Sequence, residues 1–392
     1  MKDIYLASKP RYEILDGLRG VAALMVLSFH CFETYIPQTG TQIINHGYLA
    51  VDFFFVLSGF VIGYAYDDRW DRMTVWGFFK RRLVRLHPMV VVGTLVGACL
   101  FFFGACNQFS LVTHIEAWQF FACVLLALLM IPAWQGMDIR GWSETNPLNG
   151  PNWSLTLEYI GNILYALILR KLPTVVLIAV CAISAFFTLD LTLGWDVFGM
   201  LPNGPQYTVI GGWSLTSDQM YIGFTRLAYP FLCGLVISRI LPKHMTKVNP
   251  SGSPLGLRGG FWWASLILVV VFSIPAIGQD RSFAYGIYQA VCILLVFPIV
   301  VLIGAGSKTT DAKSTAWCEF LGNLSYPLYI THYPFMYMQM AWVERNPNAP
   351  LWMHIMLNIG VIVISIFMAW ALLKLYDEPV REWLKHKVLH KK

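Results

Sequence analysis

Charge is what this chain has least of. Asp, Glu, Lys and Arg together make up 13% of its 392 residues, against 57% hydrophobic and 15% aromatic residues; soluble domains carry about 25% charged residues. That excludes an ordinary soluble globular protein. No internal repeat, long polar linker or separate soluble stretch is present, so whatever the chain does is done by one apolar unit and its loops. The alternating apolar and polar strands of a membrane barrel are missing as well. The eight cysteines (31, 99, 106, 123, 181, 233, 292 and 318) contain no CxxC and no His/Cys ligand spacing. They read as small buried hydrophobes, which leaves neither a disulfide framework nor a metal site to expect.

What remains is a succession of long apolar runs. A helix needs about 20 residues to cross a bilayer, and such runs recur along the whole sequence, so the expected fold is all-α, a polytopic membrane helical bundle forming a single domain over 1–392. The formal net charge is +6, but the basic residues fall in a few loops. The positive-inside bias explains that pattern without a nucleic-acid partner. The basic N-terminus (Lys2, Lys9, Arg11) ahead of an apolar run resembles a signal peptide. That run contains Asp16 and Arg19 and lacks a small-residue cleavage site, so it reads as a retained first span.

Ten spans are expected, at about 14–36, 49–66, 88–104, 153–169, 173–190, 222–240, 261–277, 284–304, 317–341 and 354–375. Segment 118–134 is apolar enough to be an eleventh. If it crossed, Arg170, Lys171 and every later basic cluster would lie outside; as a re-entrant or interfacial segment it leaves them all inside. Both termini are then cytoplasmic, and the loop PQTGTQIINHGY, which has no Lys or Arg, is external.

Residues 14–32, ILDGLRGVAALMVLSFHCF, carry three titratable groups where a lipid-facing span should carry none. Arg19 and His30 are eleven residues apart, three turns plus about 20°, so both lie on one helix face about 16 Å apart along the axis. Asp16 falls near the same stripe. Ionisable groups inside a bilayer cost about 2.5–3.5 kcal/mol each on insertion scales and mark functional paths. A structural Asp16–Arg19 pair with a satisfied core His30 is the alternative.

Four further groups repeat the pattern. LAVDFFFVLSGF sets Asp52, Ser58 and Gly59 along a second apolar span, and the glycine permits close approach of another helix or a ligand. In FFKRRLVRLHP, read as a basic loop, Arg82 and Arg85 at i, i+3 suit a phosphate-bearing ligand, although anionic lipid headgroups would serve as well. NWSLTLE places Trp153, Ser154 and Glu158 at the start of a span, with Ser154 also suited to capping. LSYPLYITHYP places Ser325, Tyr326, Tyr329 and His332 inside another.

Together these five motifs, over residues 14–334, resemble the acyltransferase-3 family of membrane O-acyltransferases, in its stand-alone form. The resemblance implies a ten-span bundle of the bacterial cytoplasmic membrane. Such a bundle passes an acyl group, most often acetyl from acetyl-CoA, to a hydroxyl of a cell-surface carbohydrate or glycolipid, with no bound cofactor. Residue by residue, it implies that His30 is the essential histidine and Arg19 its paired cation. Arg82 and Arg85 become donor-binding arginines, Glu158 the carboxylate of the Trp-Ser-Leu-x-x-Glu pattern, and Tyr329 and His332 the late Tyr-x-x-His. On this reading His30 acts as general base or acyl relay, with Glu158 or Asp52 orienting it. Ser58 and Tyr329 serve the thioester oxygen, and Trp153 and His332 flank the substrate. The rival expectation is a proton-coupled transporter or flippase that uses the same intramembrane charges.

Overall fold

A computed structural model of the chain describes residues 9, 11–35, 43–202, 204, 206–245, 260–275, 277, 281–309 and 311–389. Lys2, the first part of the 37–48 loop, Lys247, Arg258 and residues 278–280 of an expected outer loop lie outside them. Among the described residues every regular element is helical: α1 (Glu13–Glu33), α2 (Ala50–Tyr66), α3 (Val75–Leu100), α4 (Ala117–Leu128), α5 (Asn152–Leu167), α6 (Thr174–Thr192), α7 (Ser217–Met245), α8 (Gly260–Ser273), α9 (Phe283–Val291), α10 (Phe297–Gly306), α11 (Ala312–Thr331), α12 (Tyr333–Arg345), α13 (Leu351–Leu372) and α14 (Glu378–Leu384). Seven spans are long and apolar enough to cross a membrane: α1, α2 with its preceding turn, α3, α6, α7, α9–α10 and α13–α14. The other three expected spans are α5, α8 and α11–α12. The chain is a polytopic helical membrane bundle.

At its centre stands α1. Glu13 and Asp16 lie in its first turn and His30 in its last, the charge order that suits a helix dipole. It packs along α11 and also against α8 and α2. A second tight pair, α2 with α7, is set by glycine. A Cβ on Gly59 would come within 1.9 Å of the Phe231 carbonyl oxygen, and one on Gly234 within 2.0 Å of the Val56 oxygen. The two backbones touch only because neither residue has a side chain.

Two of three features depart from the sequence expectations; segment 118–134, a short helix and a folded loop, keeps to them. The basic stretch 80–85 is helical rather than a loop. Thr74 caps α3, its hydroxyl accepting from the Gly77 amide at 3.0 Å, so the helix starts thirteen residues before the expected span at 88 and takes Pro88 into its interior. Segment 118–134 is helical only to Leu128; twelve residues reach about 18 Å, short of the roughly 30 Å hydrocarbon core. Beyond it runs a folded loop to residue 151, organised by Asp138, whose carboxylate accepts from the amides of Arg140, Gly141 and Ser143 at 2.8–2.9 Å.

The expected span 317–341 is broken at His332. Pro334 has no N–H to return to the Ile330 carbonyl four residues earlier, and the Asn149 side chain takes that carbonyl instead at 2.5 Å. The same device recurs between α9 and α10. There Pro298 frees the Leu294 carbonyl, the backbone makes one π turn over Cys292–Val296, and the Tyr229 hydroxyl donates to Leu294 at 2.8 Å.

Candidate active site

A row of polar side chains crosses the bundle from the basic end of α1 to its far end. At the basic end Arg19 donates to Ser325 Oγ at 2.8 Å and to the Gly322 carbonyl at 3.1 Å, and pairs with Asp16 at 3.0 Å. It is the joint between α1 and α11. Opposite, Arg82 is 6% exposed and donates to Glu158 at 2.8 Å; the Ser58 hydroxyl donates to the same carboxylate oxygen at 3.1 Å. Glu158 therefore ties α3 and α2 to α5. Arg85, one turn beyond Arg82, is exposed, lies in the field of Arg19, Arg82 and Asp16 and has no hydrogen-bond or ion-pair partner among the described residues.

Midway, the Tyr329 hydroxyl meets Ser154 Oγ at 2.7 Å, and both lie within reach of the Pro151 carbonyl. Tyr326 donates to the Leu86 carbonyl at 2.7 Å. These bonds fix α11 to the start of α5 and to α3.

At the far end two imidazoles stack, His30 and His332, with ring centroids 5.5 Å apart and planes 27° from parallel. His30 Nδ1 is 2.8 Å from Glu33. A carboxylate accepts only, so Nδ1 carries the hydrogen, and in the neutral ring Nε2 keeps its lone pair. In His332, Nδ1 lies 2.9 Å from the Tyr329 carbonyl and 3.1 Å from that of Leu328; two acceptors again place the hydrogen there. His332 is 1% exposed and its Nε2 is buried without a partner. Both rings thus present an acceptor nitrogen. Tyr333 packs edge-on to His30 at 4.8 Å, and Tyr337 donates to Glu144 at 2.9 Å. Glu144 lies in the loop before α5, where burial pushes its carboxyl up to about 7 against the pull of nearby Arg140. The Arg140 guanidinium itself sits 3.5 Å from the Tyr337 ring centre, between that ring and Phe101 and Phe109.

A family model described as an acyltransferase domain matches residues 12–374. The chain belongs to the acyltransferase-3 family. Relatives outside this chain include O-acetyltransferase OatA of Staphylococcus aureus, 24% identical over 387 residues, which covers 95% of this chain and 58% of OatA. Protein 2 in the picA locus of Rhizobium radiobacter is 34% identical over 163 residues, 40% of this chain and 81% of that protein. The chain thus spans little more than half the length of OatA. No solved structure matches it.

Within this acyltransferase-3 domain the structure brings together most of the side chains singled out from sequence. Arg19, Arg82, Arg85, Ser58 and Glu158 gather towards the basic end, with Tyr329, His30 and His332 beyond them. Asp52 belongs to a neighbouring buried ion pair beside that row, and Trp153 lies against it. Asp52 is 0% exposed and bound by both forks of Arg226, at 3.2 and 2.7 Å. Arg226 also donates to the Tyr48 and Gly211 carbonyls and lies 5.2 Å from the Trp153 ring centre. This buried pair joins α2 to α7. Neither Glu158 nor Asp52 orients His30; Glu33 does.

Glu33, Arg226, Arg140, Glu144 and Asn149 were not singled out from sequence. Glu33 had a usable signal, an acid three residues after the intramembrane histidine. Arg226 had one too, a cation well inside an apolar span. Among the described residues no group of three or more His, Cys, Asp or Glu converges as a metal set would.

Proposed function

We propose that this chain is a membrane O-acyltransferase of the bacterial cytoplasmic membrane that moves an acyl group, acetyl foremost, from acyl-CoA to a hydroxyl of a cell-surface carbohydrate or glycoconjugate. The observation that carries the reading is the His30–Glu33 pair. A histidine whose Nδ1–H is held by a carboxylate offers Nε2 as a base, and the carboxylate stabilises the imidazolium once a proton arrives. The basic end faces the cytoplasm, where the guanidinium groups of Arg82 and Arg85 hold the donor phosphates.

From there the acyl end reaches towards His30. Nε2 removes the acceptor hydroxyl proton as the oxygen attacks the thioester carbonyl. The Tyr329 hydroxyl, whose ring lies 6.0 Å from that of His332, turns from Ser154 and the Pro151 carbonyl to steady the oxyanion. The C–S bond breaks, and the departing thiolate takes the proton back from His30. Arg19 and Asp52 act at one remove: Arg19 fixes α1 on α11, and Asp52 fixes α2 on α7 through Arg226. His332 flanks the acceptor as a hydrogen-bond acceptor at Nε2.

The test is turnover of radiolabelled acetyl-CoA by the detergent-purified protein with no ion gradient present. Transfer or slow hydrolysis that disappears in His30→Ala supports the reading. Full activity in that variant sinks it.

A further inference from the structure

The C-terminal helix brings a further cation, Arg381, towards the basic end of the bundle. From Leu351 the helix runs 39 residues to Leu389, about 58 Å, nearly twice the hydrocarbon thickness of about 30 Å, so its last turns leave the bilayer. Where it emerges, the backbone makes a π turn over Leu373–Asp377, a local widening that recurs at functional sites. The turn aims Asp377 inward. Asp377 is 2% exposed, and one of its oxygens pairs with Arg381 at 2.6 Å. The other oxygen is buried without a partner, as is Arg381 Nε. The field of Arg85 also reaches Asp377, and α14 packs on α3, which carries Arg85.

Arg19 and Arg82 have carboxylate partners in Asp16 and Glu158. Arg85, exposed at the end of the bundle, has none among the described residues and stands near Arg19 and Arg82 as well as Asp16. Asp377 is a buried carboxylate that the charges of both Arg85 and Arg381 reach, and it is bonded to Arg381 alone among the described residues.

We propose that Arg85 and Arg381 form a phosphate subsite for the donor, and that Asp377 is the internal carboxylate a donor phosphate displaces. The proposal rests on the acyl-CoA reading above. Binding exchanges one anion for another: the phosphate accepts from Arg85 and from the free Nε of Arg381, and the carboxylate yields. The subsite draws on residues past 374, where the family match ends.

Opposite signs make the test. With CoA as probe on the full-length purified protein, Arg381→Ala weakens binding by about tenfold, the worth of one charge-assisted hydrogen bond, and Arg381→Lys recovers part of it. Asp377→Asn, which removes the competing charge, tightens binding several-fold. Lys374→Ala, which breaks a surface pair with Glu378 on the same helix, leaves affinity unchanged. A merely structural Asp377–Arg381 pair would weaken binding in both variants alike, and that result overturns the proposal. So does wild-type affinity in both. Absence of CoA binding by the wild type overturns the donor reading itself and the subsite with it.

Discussion

Glu33 sits one helical turn beyond His30 and holds its Nδ1 at 2.8 Å. Both residues are largely shielded, with side chains 16% and 14% exposed, so the contact is made where water competes little for it. The His30 imidazole is thereby oriented by the last residue of its own helix.

Replacing Glu33 separates orientation from basicity. Glu33→Gln keeps the size and a hydrogen-bond acceptor but removes the charge that stabilises the imidazolium. Turnover should fall by about 10²-fold, the lower end of what a positioned base supplies, with donor affinity unchanged. His30→Ala should fall further. Initial rates over a range of acetyl-CoA concentrations give both quantities.

The Asp52–Arg226 pair predicts a different phenotype. Losing one member of a buried ion pair costs about 3–5 kcal/mol, because the other charge is stranded. Asp52→Asn should therefore lower the thermal unfolding temperature markedly. The double change Asp52→Leu/Arg226→Leu should be less damaging than the sum of the single changes. Recovery of stability in the double variant, read in a melting assay in detergent, identifies α2–α7 docking as the task of Asp52.

At the helix break, Asn149 and Pro334 form a testable couple. Asn149→Ala leaves the buried Ile330 carbonyl unpaired, a loss of about 1–3 kcal/mol. Pro334→Ala restores an N–H in register with that carbonyl. Combined, the two changes should destabilise less than Asn149→Ala alone. Equal melting temperatures for Asn149→Ala and the double variant would contradict this account of the break.

Glu144 predicts a pH dependence. Its carboxyl is raised from an ordinary 4.5 to about 7 by burial, so between those values the folded protein binds more protons than the unfolded chain. Stability is then fullest below about 4.5, declines as pH rises towards 7, and levels off above. Glu144→Gln cannot ionise and should flatten that slope, with its largest gain over wild type near pH 8. Melting curves from pH 5 to 8 for the two proteins decide it.

Much of the site was legible because α1 carries its chemistry on one element. Asp16, Arg19 and His30 share a face by periodicity alone, and the structure keeps them there. Arg82 and Arg85 were legible as a pair, but their setting was not. The dense charge of 80–85 looked like a loop, whereas the Thr74 cap and the packing of α3 hold it helical through Pro88. Glu158 was visible as an acid in an apolar span, but its partners, Ser58 and Arg82, are 100 and 76 residues away, and no local pattern encodes such a distance. The same holds for Asp52 and Arg226, 174 residues apart. Gly59 is the reverse case: the close approach it permits was readable from its place in an apolar helix, and only the identity of the neighbour, Phe231 on α7, needed three dimensions.

The unbroken run of α1 between Arg19 and His30 has one more consequence. Eleven residues of regular helix form a rigid ruler of about 16 Å; on the acyl-CoA proposal above, the guanidinium groups gathered towards one end anchor the phosphates and His30 Nε2 at the other meets the thioester. A ruler selects by length. A short thioester that lacks the nucleotide can touch either mark but never both, so it should react only at concentrations high enough to replace anchoring by collision, whereas lengthening the arm by a few atoms should misregister the carbonyl even with every phosphate contact in place.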